Sequence, residues 1–156
     1  MSRDKQELVA GMLHLARAHE AANEAFDDVA CEKLGINRTD LRCLNIVDNE
    51  GPMTAGRLAE KSGLTTAAVT AVLDRLERAG YARRLRDQED RRQVIVELMP
   101  VVAERGAAIW GPLGAEATAR LEQMTVEELT GVAEFFRLGI ELNERHIERI
   151  RGLDLG

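Results

Sequence analysis

TAGRLAEKSGLTTAAVTAVLDRLERAGY, residues 54–81, decides the fold of this chain. Three positions set the stretch apart from an ordinary pair of helices. Ala59 is small enough for two helices to cross closely, Gly63 four residues on can take the positive φ of a tight turn, and Val69 six residues further anchors the second helix in a core. That spacing predicts a helix-turn-helix. On its second helix Val69, Val72, Leu73 and Leu76 share the inward face, which leaves Ala67, Thr70, Ala71, Asp74 and Arg78 outward. Leu76 to Tyr81 closes the helix at Gly80, as helices commonly close at glycine.

Two strand-like runs follow, Ala82 to Arg86 and Gln93 to Leu98, separated by Asp87-Gln88-Glu89-Asp90-Arg91-Arg92. A hairpin needs only turn residues at its tip, whereas this tip is charged. A helix able to enter a major groove with a basic hairpin beside it is a winged helix-turn-helix. The expected fold class is mainly α with a small β-hairpin wing. Residues 36–99 form the winged lobe and residues 1–35 and 100–156 a helical dimerisation region, all within one domain. A length of 156 residues suits a single core and is short for two.

The segment resembles the DNA-binding lobe of the MarR (multiple-antibiotic-resistance regulator) family. The matching residues are Gly51-Pro52-Met53-Thr54, Leu58-Ala59, Gly63-Leu64, Val69-Thr70, Leu73-Asp74-Arg75-Leu76-Glu77, Gly80, Arg83, Asp90-Arg91-Arg92 and Leu98. One helix before and two long helices after complete the family's layout, so the likeness covers nearly the whole chain. It implies a regulator that binds double-stranded DNA as a homodimer through its first, fifth and sixth helices. It also implies that Asp90 pairs with Arg92 to order the wing, that Arg92 enters the minor groove, and that a small-molecule inducer acts in a cleft lined by the first, second and fifth helices. Two departures stand out. Members usually close the wing with Leu-Thr, but Leu98 is followed by Met99 and Pro100, so Pro100 is expected to open the next helix at its first position without a side-chain cap. Many members carry Arg where Ala71 stands, which weakens side-chain readout from this helix.

A formal charge of −6 opposes DNA binding when taken as a total, but its distribution matters more. Residues 38–98 hold 11 Lys and Arg against 10 Asp and Glu, while both flanks are acidic. Phosphates respond to the local excess within a Debye length of about 10 Å. The outward face of the second helix offers Thr65 and Thr66 to phosphates or base edges, and Ala67, Thr70 and Ala71 to thymine methyls. Arg75 and Arg78 are expected at backbone phosphates. From the wing, Arg84, Arg86 and Arg91 are expected to contact DNA, with Arg92 at the tip suited to the negative potential of a narrow A·T-rich minor groove.

Elsewhere the chain reads as helices. Leu8, Met12, Leu15, His19, Ala22, Phe26 and Val29 recur at helical spacing up to Gly35, and Thr39 is expected to cap a second helix ending at Gly51-Pro52. A fifth helix spans Pro100 to Gln123, with a kink or break expected at Gly111-Pro112. Thr125 and Glu128 form a capping box for a sixth, lined by Val126, Leu129, Val132, Phe136, Ile140, Ile147 and Ile150. The apolar stripes at both chain ends exceed what one lobe needs, which favours a two-fold dimer.

No apolar run reaches membrane-span length and no signal-peptide stretch follows Met1, so no membrane partner and a cytoplasmic location are expected. Cys43 reads as core and Cys31 as partly exposed, without metal-ligand or CxxC spacing. His14, His19 and His146 lack the spacing of paired ligands, so neither metal nor cofactor is expected. No GxSxG, P-loop, HExxH or dinucleotide fingerprint marks an enzyme. The alternative function is a protein-interaction module using the winged helix as scaffold, against which the arginine-rich wing counts.

Overall fold

The computed structural model describes residues 2–86 and 93–154. Its elements run α1 (Arg3–Leu34), α2 (Arg38–Glu50), β1 (Met53–Thr54), α3 (Ala55–Ser62), α4 (Thr66–Arg78), β2 (Ala82–Arg86), β3 (Val94–Leu98), α5 (Val101–Leu121) and α6 (Val126–Arg151). The chain forms two compact units, residues 1–109 and 110–156.

The helix-turn-helix comprises α3 and α4, and local chemistry delimits both helices. Thr54 and Thr65 cap their starts by accepting from the Arg57 and Ala68 amides. Gly63 takes φ 67° between them and Gly80 takes φ 75° after α4, the backbone region that Cβ-bearing residues avoid. Past Gly80 the Tyr81 amide donates to the Leu76 carbonyl, closing α4 in a Schellman pattern. Leu58 on α3 packs with Val69, Val72, Leu73 and Leu76 on α4, all nearly inaccessible, against Cys43, Leu44 and Val47 of α2. Val96 and Met53 close this core from the sheet.

The sheet is antiparallel in the order β1-β3-β2. Ala82 pairs with Leu98 and Arg86 with Val94, so the hairpin register follows the expected strands. β1, pairing Met53 with Val96, was not anticipated, because two residues carry no readable alternation.

Three local expectations are corrected. Asn37, not Thr39, caps α2, in a reciprocal capping box with Asp40. Pro112 does not break α5, which stays helical from Val101 to Leu121. Ala108 and Pro112 are both exposed, so water can satisfy the carbonyl that the proline leaves without a donor. Pro100 sits one place before the helix, its carbonyl accepting from the Ala103 and Glu104 amides. The Thr125–Glu128 capping box of α6 forms as expected, and the hydrogen bonds it accepts hold the Glu128 pKa below the ordinary carboxylate value. No helix among the described residues is long and apolar enough to cross a membrane.

Asp40, 1% exposed, faces Arg75 from 35 residues away in sequence, with N–O distances of 3.1, 3.0 and 2.6 Å. Removing one partner of such a pair strands the other. Arg75→Met should destabilise the fold by about 2 kcal/mol, below the buried-pair range because the Arg75 side chain is partly solvated. Urea unfolding checks this, and an unchanged midpoint would contradict it.

Candidate nucleic-acid interface

The candidate surface is the outward side of α4 with the wing beside it. Val69, Val72, Leu73 and Leu76 are buried, and their periodicity turns Thr66, Ala67, Thr70, Ala71, Asp74 and Arg78 to the exposed face, with Thr65 exposed at the cap. Thr65 spends one lone pair on the Ala68 amide, and the Thr70 hydroxyl donates back to the Thr66 carbonyl at 3.0 Å. With that hydroxyl proton engaged inside the helix, Ala67, Thr70 and Ala71 present mainly methyl surface.

The arginines do not all lie where spacing suggests. Arg75, expected at phosphates, is drawn onto Asp40, whose carboxylate holds the guanidinium pKa above its ordinary value. Arg84, expected to reach DNA from the wing, is instead engaged by α4. Its backbone amide and Nη1 donate to the two Glu77 oxygens at 2.8 and 2.6 Å, and its Nη2 donates to the Thr70 carbonyl and to Asp74. Arg83 pairs across the strands with Glu97 at 2.6 Å. Arg78 keeps only a local bond from Nε to the Asp74 carbonyl, and Arg86 is exposed, so both guanidinium groups lack a carboxylate partner among the described residues. Asp90, Arg91 and Arg92 lie outside the described residues.

Sequence reading missed the carboxylates Asp40, Asp74 and Glu77 that take up these cations. Asn37-x-x-Asp40 is legible as a capping box, but the reach of Asp40 to Arg75 is a tertiary contact with no local signal. Also unforeseen, Glu50 holds Lys61 at 3.1 Å and Arg57 at 3.5 Å beside α3, and these cations keep the Glu50 pKa below its ordinary value. An open groove of about 460 Å³ lies along α2 and the end of α1, from Asp27 and Arg38 past Leu41 and Ile46 to Glu50.

The expected partial exposure of Cys31 is corrected: it is 6% exposed, because the last turn of α1 packs on the lobe. Cys43 is core, as expected. Burial, ahead of the neighbouring charges, pushes both thiols above their ordinary pKa. No group of metal-binding side chains occurs among the described residues. At about pH 8, near the ordinary thiol pKa of about 8.5, both cysteines should resist iodoacetamide in the native protein and react on denaturation. Fast native labelling of either would contradict the burial seen here.

Comparison with known proteins agrees with this geometry. Residues 36–94 match the MarR family model. The uncharacterized HTH-type transcriptional regulator YcgE of Bacillus subtilis (strain 168) is 33% identical over 147 residues, 94% of this chain and 96% of that protein. Among solved structures, the transcriptional regulator PA4135 superposes with a TM-score of 0.60 at 28% identity, over 85% of this chain and 95% of that one. Reduced AbfR bound to DNA superposes with a TM-score of 0.62 at 21% identity, over 96% and 99% of the two chains.

Proposed function

Because the chain belongs to the MarR family and is a DNA-binding transcriptional regulator, we propose that it is a homodimeric, ligand-responsive repressor acting on an inverted-repeat operator in the cytoplasm. The observation that carries this reading is the outward face of α4, exposed from Thr65 to Arg78 with β2 alongside. In this reading Thr65 and Thr66 meet phosphates or base edges, while Ala67, Thr70 and Ala71 lie against thymine methyls. Arg78, Arg86 and Arg91 neutralise phosphates, and Arg92, ordered by Asp90, enters an A·T-rich minor groove. AbfR, which shares this fold and whose structure is bound to DNA, supports DNA as the partner.

Segments 1–35 and 100–156 supply the dimer surface. On α6, Val126, Phe136, Ile140, Ile147 and Ile150 are all exposed, as are Leu8, Met12 and Leu15 on α1. So many large apolar side chains at helical spacing, left in water, favour a second copy as their cover. A small molecule held against α1 and α2, in the groove between Asp27 and Glu50, would act by changing the separation of the two reading helices.

Two outcomes follow. Full-length protein should be a dimer at micromolar concentration by light scattering, and a chain ending at Thr125 a monomer; a full-length monomer would contradict the dimer. A duplex selected by the protein from a random pool should be an A·T-rich inverted repeat with half-sites about 10 base pairs apart. Replacing contacted thymines with uracil should weaken binding about fourfold per methyl, the equivalent of about 0.8 kcal/mol each. Unchanged affinity would remove methyl readout.

A further inference from the structure

Arg84 sits in the middle of β2, yet its four hydrogen bonds to side chains and carbonyls of another element all end on α4. Its acceptors are Thr70, Asp74 and Glu77, three positions at helical spacing that form the stripe of α4 facing the wing. Glu77 takes both the amide and the guanidinium of Arg84, and so fixes the strand's backbone as well as its side chain. The ion pairs measure 2.6 Å to Glu77 and 2.7 Å to Asp74, and the Arg84 side chain is only about a quarter exposed at 27%.

We infer that Arg84 and Glu77 are positioning residues for DNA recognition, a staple that fixes the wing relative to α4 and so sets the offset between wing and major-groove contacts within each half-site. The inference rests on the DNA-binding reading of this lobe. A planar guanidinium gripped at two carboxylates and a carbonyl resists rotation in a way that one point charge does not. The same contacts offset one of the two negative charges of Asp74 and Glu77, which lessens their repulsion of phosphates from the reading face. Arg84 thereby assists binding without touching DNA.

Competing expectations differ in sign. By simple electrostatics, removing the Glu77 carboxylate near DNA should tighten binding, the more so if it releases Arg84 toward phosphate. The staple predicts the opposite. With the full-length protein and the duplex it selects from a random pool, Glu77→Ala and Arg84→Ala should each weaken binding about tenfold, the scale of losing charged hydrogen bonds. The double variant should be no weaker than either single one, because both changes break the same linkage. Hydroxyl-radical footprints of both variants should fade at the outer flanks of the operator while the half-site centres stay protected, which uniform destabilisation would not produce. If Glu77→Ala fails to fold, Arg84→Lys serves, since it keeps the charge for a phosphate and loses the two-armed grip. Binding by Glu77→Ala at or above the wild-type level, additive losses in the double variant, or full affinity in Arg84→Lys would overturn the staple. A wild-type protein that enriches no duplex would instead overturn the regulator reading, and this inference with it.

Discussion

The structure depends on the satisfaction of one buried carboxylate. Asp40 is almost wholly excluded from water, and a charge in that position is tolerable only with partners on its lone pairs. It has them: Arg75 takes both oxygens, and the Asn37 amide donates to Oδ2. One side chain therefore helps to start α2 and holds the last turn of α4. A second tie works at the end of α4, where the buried Tyr81 donates its hydroxyl to the last carbonyl of α1, at Leu34, and accepts from Arg105 of α5. Arg105 also lies over the Tyr81 ring, 5.2 Å from its centre. The reading helix is thus fixed to the helices around it by polar contacts as well as by its apolar face.

This arrangement changes the meaning of the charge pattern. Counted along the chain, the winged lobe holds a slight excess of arginine and lysine over acid. Counted in space, Arg75 and Arg84 are committed to Asp40, Asp74 and Glu77, and Arg83 to Glu97. What remains on the outward face of α4 is mostly hydroxyl and methyl, with Asp74, paired to Arg84, and Arg78 toward its end. A face of that kind gains little from guanine edges and more from thymine methyls and groove shape. Within a protein of net charge −6, it also limits the attraction to DNA of arbitrary sequence.

The parts of the fold governed by local rules were legible in the sequence. Ala59, Gly63 and Val69 gave away the helix-turn-helix, Gly80 the end of α4, and Thr125 with Glu128 the start of α6. The hairpin strands could be read to within a residue from two short strand-like runs on either side of a charged turn sequence. Errors arose where a tertiary contact or a competing local signal decided the outcome. Thr39 looked like a cap but lost to Asn37, whose reciprocal bond with Asp40 satisfies two amides instead of one. Arg75 and Arg84 were legible as cations on the correct elements, but periodicity cannot say whether a long side chain turns outward to solvent or sideways to a carboxylate. Cys31 looked half-exposed because the packing of the α1 end on the lobe has no signature along the chain.

The central claim is that recognition proceeds with Arg75 and Arg84 held on their carboxylates, leaving a helix face of mostly hydroxyl and methyl groups for the bases. A crystal structure of the full-length protein on a duplex it selects would test this most directly. The account predicts that Arg75 stays within hydrogen-bond distance of Asp40, that Arg84 stays on Glu77 and Asp74, and that Arg78 lies at a phosphate while Ala67 and Ala71 lie against thymine methyls. A complex in which Arg75 or Arg84 has left its carboxylates for a phosphate or a base edge would contradict it.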